Sequence, residues 1–126
     1  GNATDFGDMS VPASSAKGNS NLIRGVYAVG EEHPPGSTVQ QYDYITIATT
    51  GNASTFGDMV NRKANPHSMS SDIDGRGCWA GGYLISPGAT TDAIEYVTIA
   101  STGNGTDFGD LTTNVYQGAG CAQGTS

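Results

Sequence analysis

A nine-residue segment occurs three times in this chain, at residues 1–9, 51–59 and 103–111. The three copies read GNATDFGDM, GNASTFGDM and GNGTDFGDL. Around the second and third copies the match is wider, and eight further residues recur 52 positions later: Arg24/Arg76, Gly25/Gly77, Pro35/Pro87, Gly36/Gly88, Tyr44/Tyr96, Thr46/Thr98, Ile47/Ile99 and Ala48/Ala100. A period of about 50 residues is typical of stacked or radially arranged supersecondary units, so the sequence predicts a repeat protein.

The repeat divides the 126 residues into three parts. Residues 1–23 form a partial repeat, with the last strand of one unit and the first strand of the next. Residues 24–75 and 76–126 form two full repeats, the second ending just before the next Arg-Gly is due.

The composition indicates an all-β fold. The chain is 36% hydrophobic and 13% charged with 19 glycines, which favours many turns over helices. Residues 39–47 and 94–99 are rich in β-branched and aromatic side chains, and Gly, Pro and Asn cluster between such segments. We therefore predict short strands joined by tight turns.

Within one unit the pattern predicts four antiparallel strands, at residues 67–72, 76–83, 94–101 and 106–111, with a tight hairpin turn at Ile73-Asp74-Gly75. Four short strands in each repeat of about 52 residues are typical of a β-propeller blade. A β-solenoid, which needs a shorter repeat for each coil, and a repeat fibre are the alternatives. Large apolar residues at matching phase are predicted to pack between units as a repeat core: Phe6, Phe56, Phe108, Tyr44, Tyr96, Ile47 and Ile99.

Residues 62–82 resemble the kelch motif. Arg62 and His67-Ser68 precede a strand, a hairpin follows, and the next strand ends in Gly81-Gly82. A later Tyr96 and the cluster at residues 108–111 continue the order of features seen in that family. Phe108 stands where kelch repeats usually carry Trp. The resemblance implies kelch-like β-propeller blades.

Residues 96–111 are also similar to repeats in tail-fibre and other virion structural proteins of aquatic bacteriophages. This second resemblance implies a structural or adhesive module of an extracellular assembly, a viral tail fibre or surface filament, at an extracellular or virion-surface location. A closed propeller needs four to eight blades, and two repeats with a fraction cannot close a ring. Either the chain is a piece of a longer array, or copies complete one another. In the second case we expect strand exchange, with residues 1–9 pairing in a unit begun by residues 117–123 of another copy.

The sequence predicts no enzyme and no cofactor. It contains no Gly-x-Ser-x-Gly, P-loop or Rossmann pattern. His33 and His67 lack the spacing of a transition-metal site, so no metal site is assigned. The acidic turns at residues 72–75 and 106–110 leave Ca²⁺ binding as a minor alternative, because hard cations prefer clustered oxygens.

Three Asn-x-Ser/Thr sequons begin at Asn2, Asn52 and Asn104, the same position of each copy. These are candidate N-glycosylation sites. They suggest an alternative function, that of a glycosylated microbial extracellular fibre subunit. A left-handed Asn in the turn, capped by Ser or Thr, explains the same pattern structurally.

The net charge of −7 excludes the basic surface that nucleic acids or anionic membranes require. No apolar stretch is long enough for membrane insertion, so other copies and host-surface protein or carbohydrate are the expected partners. A lectin-like, carbohydrate-binding propeller is a further alternative. Its candidate sugar-stacking residues are Trp79, Tyr83, Tyr27 and Tyr116, although Trp79 also suits a core. Cys78 and Cys121 are expected to be buried and unpaired, with a bridge as the alternative.

Overall fold

The computed structural model describes residues 1–32, 37–71 and 75–123. These residues contain strands and no helix, which confirms the all-β prediction. The strands are β1 (Ala13–Ser14), β2 (Lys17–Ser20), β3 (Arg24–Glu32), β4 (Ser37–Thr46), β5 (Ser54–Gly57), β6 (Lys63–Ala64), β7 (His67–Ser71), β8 (Arg76–Ala80), β9 (Tyr83–Leu84), β10 (Ala89–Thr98), β11 (Thr106–Val115) and β12 (Ala122–Gln123).

The strands form two sheets. In the first, β2, β3, β4 and β5 are successive antiparallel neighbours, and β1 pairs with the far end of β3. In the second, β7, β8, β10 and β11 follow the same antiparallel order. The short strands β9 and β6 extend from the beginning of β10, and β12 pairs parallel with β7.

The four strands predicted for residues 67–111 are all present, with different bounds. β8 ends at Ala80 because Gly81 and Gly82 adopt φ of +64° and +109°, which turn the backbone out of the strand. β10 begins at Ala89, earlier than predicted, because its first residues pair with β9. β11 continues to Val115. Residues 33–36, which include His33 and the recurring Pro35 and Gly36, lie outside the described part, as do residues 72–74 of the predicted hairpin turn.

Residues 52 positions apart occupy equivalent places in the two sheets. Val26 faces Tyr44 across β3 and β4, and Cys78 faces Tyr96 across β8 and β10. A register shift at the same place in each sheet leaves Phe56 of β5 and Phe108 of β11 without a cross-strand partner. Such a bulge redirects the bulged strand and its unpaired residue.

One hydrophobic core joins the two sheets. Its buried members come from both sheets and from the residues that follow β5 and β10: Val26, Ala28, Tyr42, Phe56, Met59, Trp79, Val97 and Ile99. The rings of Tyr42 and Trp79 are tilted with centroids 4.5 Å apart, and the Trp79 indole N–H donates to the Lys17 carbonyl at 2.8 Å. The polar atom of the indole is thereby satisfied inside the core.

The predicted repeat core is buried only in part. Phe56 and Ile99 are buried, whereas Phe6, Tyr44 and Tyr96 are half-buried. The expectation that all seven residues pack between units does not hold for Ile47 and Phe108, which are exposed. Equivalent sequence positions therefore differ in burial because they differ in what lies over them.

Candidate functional site

The Gly-Asn turn of the second nine-residue copy lies against the Phe-Gly-Asp segment of the first. The Gly51 N–H donates to the Phe6 carbonyl at 2.8 Å, and the Ala53 N–H donates to the Asp8 carbonyl at 2.8 Å. In the reverse direction the Asp8 N–H donates to Oδ1 of Asn52 at 3.0 Å. Three hydrogen bonds thus join the two segments, and only one of them uses a side chain.

The same three bonds occur between the second and third copies. The Gly103 N–H donates to the Phe56 carbonyl at 2.9 Å, and the Gly105 N–H donates to the Asp58 carbonyl at 2.7 Å. The Asp58 N–H donates to Oδ1 of Asn104 at 3.0 Å. We call this arrangement of a Gly-Asn-Ala/Gly segment on a Phe-Gly-Asp segment the clasp.

The central glycine of each Phe-Gly-Asp segment permits the close approach in the clasp. A methyl group built at Gly7 would overlap the Gly51 carbonyl, and one built at Gly57 would overlap the Gly103 carbonyl. Gly7 also has φ of +145°, a conformation that side chains disfavour. Any larger residue at either position would hold the two segments apart.

The third Phe-Gly-Asp segment differs from the first two in its surroundings. A methyl group at Gly109 would meet no described atom within 4 Å. Phe108 is 57% exposed whereas Phe56 is 3% exposed. Their edge-to-face contacts are nevertheless matched, with centroids 5.9 Å apart for Phe56 and Tyr44 and 6.0 Å for Phe108 and Tyr96. The third segment keeps the local geometry and lacks a covering Gly-Asn segment within the described chain.

An arginine lies over the tyrosine in each sheet. Cζ of Arg24 is 4.9 Å from the centroid of Tyr44, and Cζ of Arg76 is 4.7 Å from that of Tyr96. Nη1 of Arg24 also donates to the carbonyl of Ala100 at 2.8 Å, in the turn that follows β10. The Arg24 guanidinium therefore stacks on Tyr44 of the first sheet and donates to the turn after β10, as its flat donor group allows.

The structure gives the sequon asparagines a role that differs from the predicted turn. Asn52 and Asn104 each accept a clasp hydrogen bond, and neither has a left-handed backbone. The left-handed explanation of the Gly-Asn turn is therefore wrong, and the side-chain amide is used as an acceptor. Asn2 is exposed. Glycosylation of the three sites stays a prediction.

A buried ion pair lies beside the second clasp. Nζ of Lys63 is 3.0 Å from Oε1 of Glu95, and the two side chains are 1% and 2% exposed. The Val60 N–H donates to Oε2 of Glu95 at 2.7 Å, and burial together with the adjacent Glu95 charge raises the pKa of Tyr42. In the first sheet Asp43 takes the equivalent place and accepts from the Ser10 N–H at 3.2 Å.

The pair of Lys63 and Glu95 was not predicted from the sequence. Along β10 alternate residues face the core, so Glu95 shares the inward side with Val97, and Ile99 follows. A carboxylate in phase with two inward apolar residues is the signal that could have identified it. Nothing in the sequence pattern singles out Lys63, because it lies on the two-residue strand β6.

The predicted sugar-stacking residues are not gathered into one site. Trp79 is 0% exposed, so its ring cannot contact a ligand. The prediction that Trp79 stacks on a sugar is therefore wrong. Tyr27 is half-buried, and burial followed by the charge of Asp43 raises its pKa. Only Tyr83 and Tyr116 lie together, both exposed, with centroids 6.3 Å apart and planes tilted by 56°.

The two cysteines are free. Cys78 is half-buried, and burial raises the pKa of its thiol, opposed by the charge of Arg76. Cys121 is exposed, which contradicts its predicted burial. Its place shortly before the short strand β12 leaves it outside the core.

No group of three or more His, Cys, Asp or Glu residues in the described ranges could hold a metal ion. The acidic turn at residues 72–75 falls largely outside those ranges. None of the described residues belongs to a helix long and apolar enough to span a membrane. No protein-family model matches the chain, and a search of curated proteins finds no significant similarity.

Proposed function

We propose that this chain is a structural or adhesive repeat module of an extracellular assembly, most simply a viral tail fibre or a surface filament. Its units would be kelch-like β-propeller blades of about 52 residues, and it would be located outside the cell or on the virion surface. The observation that carries the proposal is the clasp, which joins successive copies of the nine-residue segment with the same three hydrogen bonds.

The clasp suits a scaffold because most of it is backbone. A net contribution of about 1 kcal/mol for each hydrogen bond gives about 3 kcal/mol for each junction. In repeat proteins such nearest-neighbour contacts supply much of the stability. The clasp groups are polar backbone atoms and one amide, and none of them is a nucleophile or a general base. Other copies of the chain are the proposed partners, together with protein or carbohydrate at a host surface.

The scaffold role of the clasp can be tested by removing its single side chain. Asn104→Ala should lower the free energy of unfolding by about 1 kcal/mol, since Asp58 then loses its acceptor. Asn2→Ala, measured in dilute solution, is the matched control, because Asn2 occupies the same position of the first copy and accepts no clasp hydrogen bond within the described chain. Equal unfolding midpoints for the two variants in urea would contradict a stabilising clasp.

The assembly role is tested by locating the protein in its natural source. Gold-labelled antibodies against the chain should decorate intact virions or filaments at regular spacing. Labelling that requires permeabilised cells would contradict an external structural role. The intact mass of the natural protein is a second measurement. Increments of sugar mass would support the alternative of a glycosylated fibre subunit.

A carbohydrate-binding propeller is the second candidate, and the pair formed by Tyr83 and Tyr116 favours it. Two exposed aromatic rings at this spacing offer apolar faces for the C–H groups of a sugar. A glycan-array screen should then give hits that Tyr83→Ala abolishes and Tyr27→Phe retains. A screen without hits leaves the purely structural role as the better account.

A further inference from the structure

We propose that the exposed segment Phe108-Gly109-Asp110 is a docking site for Gly1-Asn2-Ala3 of a second copy of this chain. The two copies would then be joined head to tail by a third clasp. This inference rests on the proposed structural function and names the partner and the contact by which the assembly grows.

The receiving segment lies on the edge of a sheet. β11 pairs with β10 on one side, and no other described strand pairs with it. Backbone groups of alternate residues in an antiparallel strand face the same side, so Phe108 and Asp110 present theirs together. An unpaired edge of this kind is a template for another chain.

The incoming segment matches what the two internal clasps use. Residues 1–3 read Gly-Asn-Ala, as do residues 51–53, and all three are exposed. In the new clasp the nitrogen of Gly1 would donate to the Phe108 carbonyl, and the Ala3 N–H to the Asp110 carbonyl. The Asp110 N–H would donate to Oδ1 of Asn2. Each bond has a counterpart at both internal junctions.

The shape of the receiving segment also fits. The space beside Gly109 is open, whereas the same space beside Gly57 is filled by the Gly103 carbonyl. Phe108 is already positioned by Tyr96 at 6.0 Å and has an exposed face to be covered. Docking would bring Phe108 towards the buried state of Phe56 without a change in its local contacts.

The contact joins two different surfaces, so it is heterologous. Such contacts build filaments, or rings when the rotation closes. One clasp is much smaller than a standard interface, so a dissociation constant of about 1 mM is expected. Because each copy carries a net charge of −7, association should strengthen as added salt screens the repulsion.

The test is a complementation experiment by sedimentation velocity, with the 126-residue chain at concentrations up to about 1 mM. Ala3→Pro removes the N–H donor of the head, and Ala3→Gly is its control, because Gly105 occupies this position in an internal clasp. Gly109→Ala places a methyl group in the path of the incoming carbonyl, and Thr112→Ser, an exposed position on the same strand, is its control.

The wild-type chain and both controls should form a concentration-dependent series of oligomers. Ala3→Pro and Gly109→Ala should each sediment as monomers. Their equimolar mixture should give dimers and nothing larger, since one intact head meets one intact tail.

Gly109 has φ of +136°, so its substitution can disturb β11. Phe108→Ser is therefore a second variant of the receiving segment, at a residue whose φ is not positive. It should weaken association roughly tenfold, because apolar burial on docking is lost. A wild-type chain that stays monomeric overturns the proposal in favour of an occupant on the same polypeptide. Oligomers unaffected by these variants also overturn it. Neither result decides the antibody-labelling test, so failure of this contact and failure of the structural function are distinguishable.

Discussion

The ion pair between Lys63 and Glu95 gives the sharpest prediction for stability. Lys63→Met removes the cation and keeps a side chain of similar length and shape. The Glu95 carboxylate would then retain its hydrogen bond from the Val60 N–H and lose its partner at 3.0 Å. With an exposed fraction of 2%, the carboxylate cannot regain water without opening the core.

Loss of one member of a buried pair typically costs 3–5 kcal/mol, because the remaining charge is left without compensation. We expect about 4 kcal/mol for Lys63→Met, a large part of the 5–15 kcal/mol that is usual for a domain. The double variant Lys63→Met with Glu95→Gln removes both charges and keeps an acceptor for Val60. It should recover most of the loss and lie within about 1.5 kcal/mol of the wild type.

The assay is urea unfolding followed by circular dichroism, with Lys17→Met as the matched control. Lys17 is half-buried and lies outside this pair, so the same substitution there should cost less than about 1 kcal/mol. The reasoning is refuted if Lys63→Met and Lys17→Met unfold at the same urea concentration. It is also refuted if the double variant is no more stable than Lys63→Met alone.

Three further predictions follow from burial. Phe56→Ala should destabilise the chain by about 3–5 kcal/mol, as measured by thermal unfolding, and Phe108→Ala by less than half as much in dilute solution. Equal losses of stability would contradict the difference in burial between the two rings. Cys121 should react with a thiol reagent at pH 8 well before Cys78. The reaction rate of Cys78 should rise only at higher pH, because its raised pKa keeps the thiol protonated. Faster labelling of Cys78 would contradict this prediction. Trp79 should show blue-shifted emission, weak quenching by acrylamide and no response to added sugars, whereas strong quenching would place its ring at the surface.

The sequence predicts the strands well because their signals are local. β-branched and aromatic runs between turn residues identified β4 and β10, and the Asp74-Gly75 dipeptide of the sequence indicated β7 and β8 on either side of it. The bounds were less accurate, since β10 is lengthened by its pairing with β9, a partner that no local signal reveals. Pairing partners are decided by tertiary structure, and strand ends follow them.

The candidate site was less predictable because identical segments have different surroundings. The sequence assigns Phe56 and Phe108 the same role, yet only Phe56 is covered by a following Gly-Asn segment. The asparagines at positions 52 and 104 were recognised as a pattern, and their use as acceptors for a distant N–H required the structure. Local sequence specifies which groups are available, and the packing of whole units decides which of them meet.

Each clasp connects residues separated by about one repeat, with 44 positions between Asp8 and Asn52 and 46 between Asp58 and Asn104. No clasp in the described chain joins the first copy directly to the third. These separations are about a third of the 126 residues, so each clasp closes a long loop, and we expect slower folding than in a protein built from local contacts. During synthesis, the first clasp can form only after Asn52 has left the ribosome and the second only after Asn104 has left it, so we expect the first clasp to form before the second.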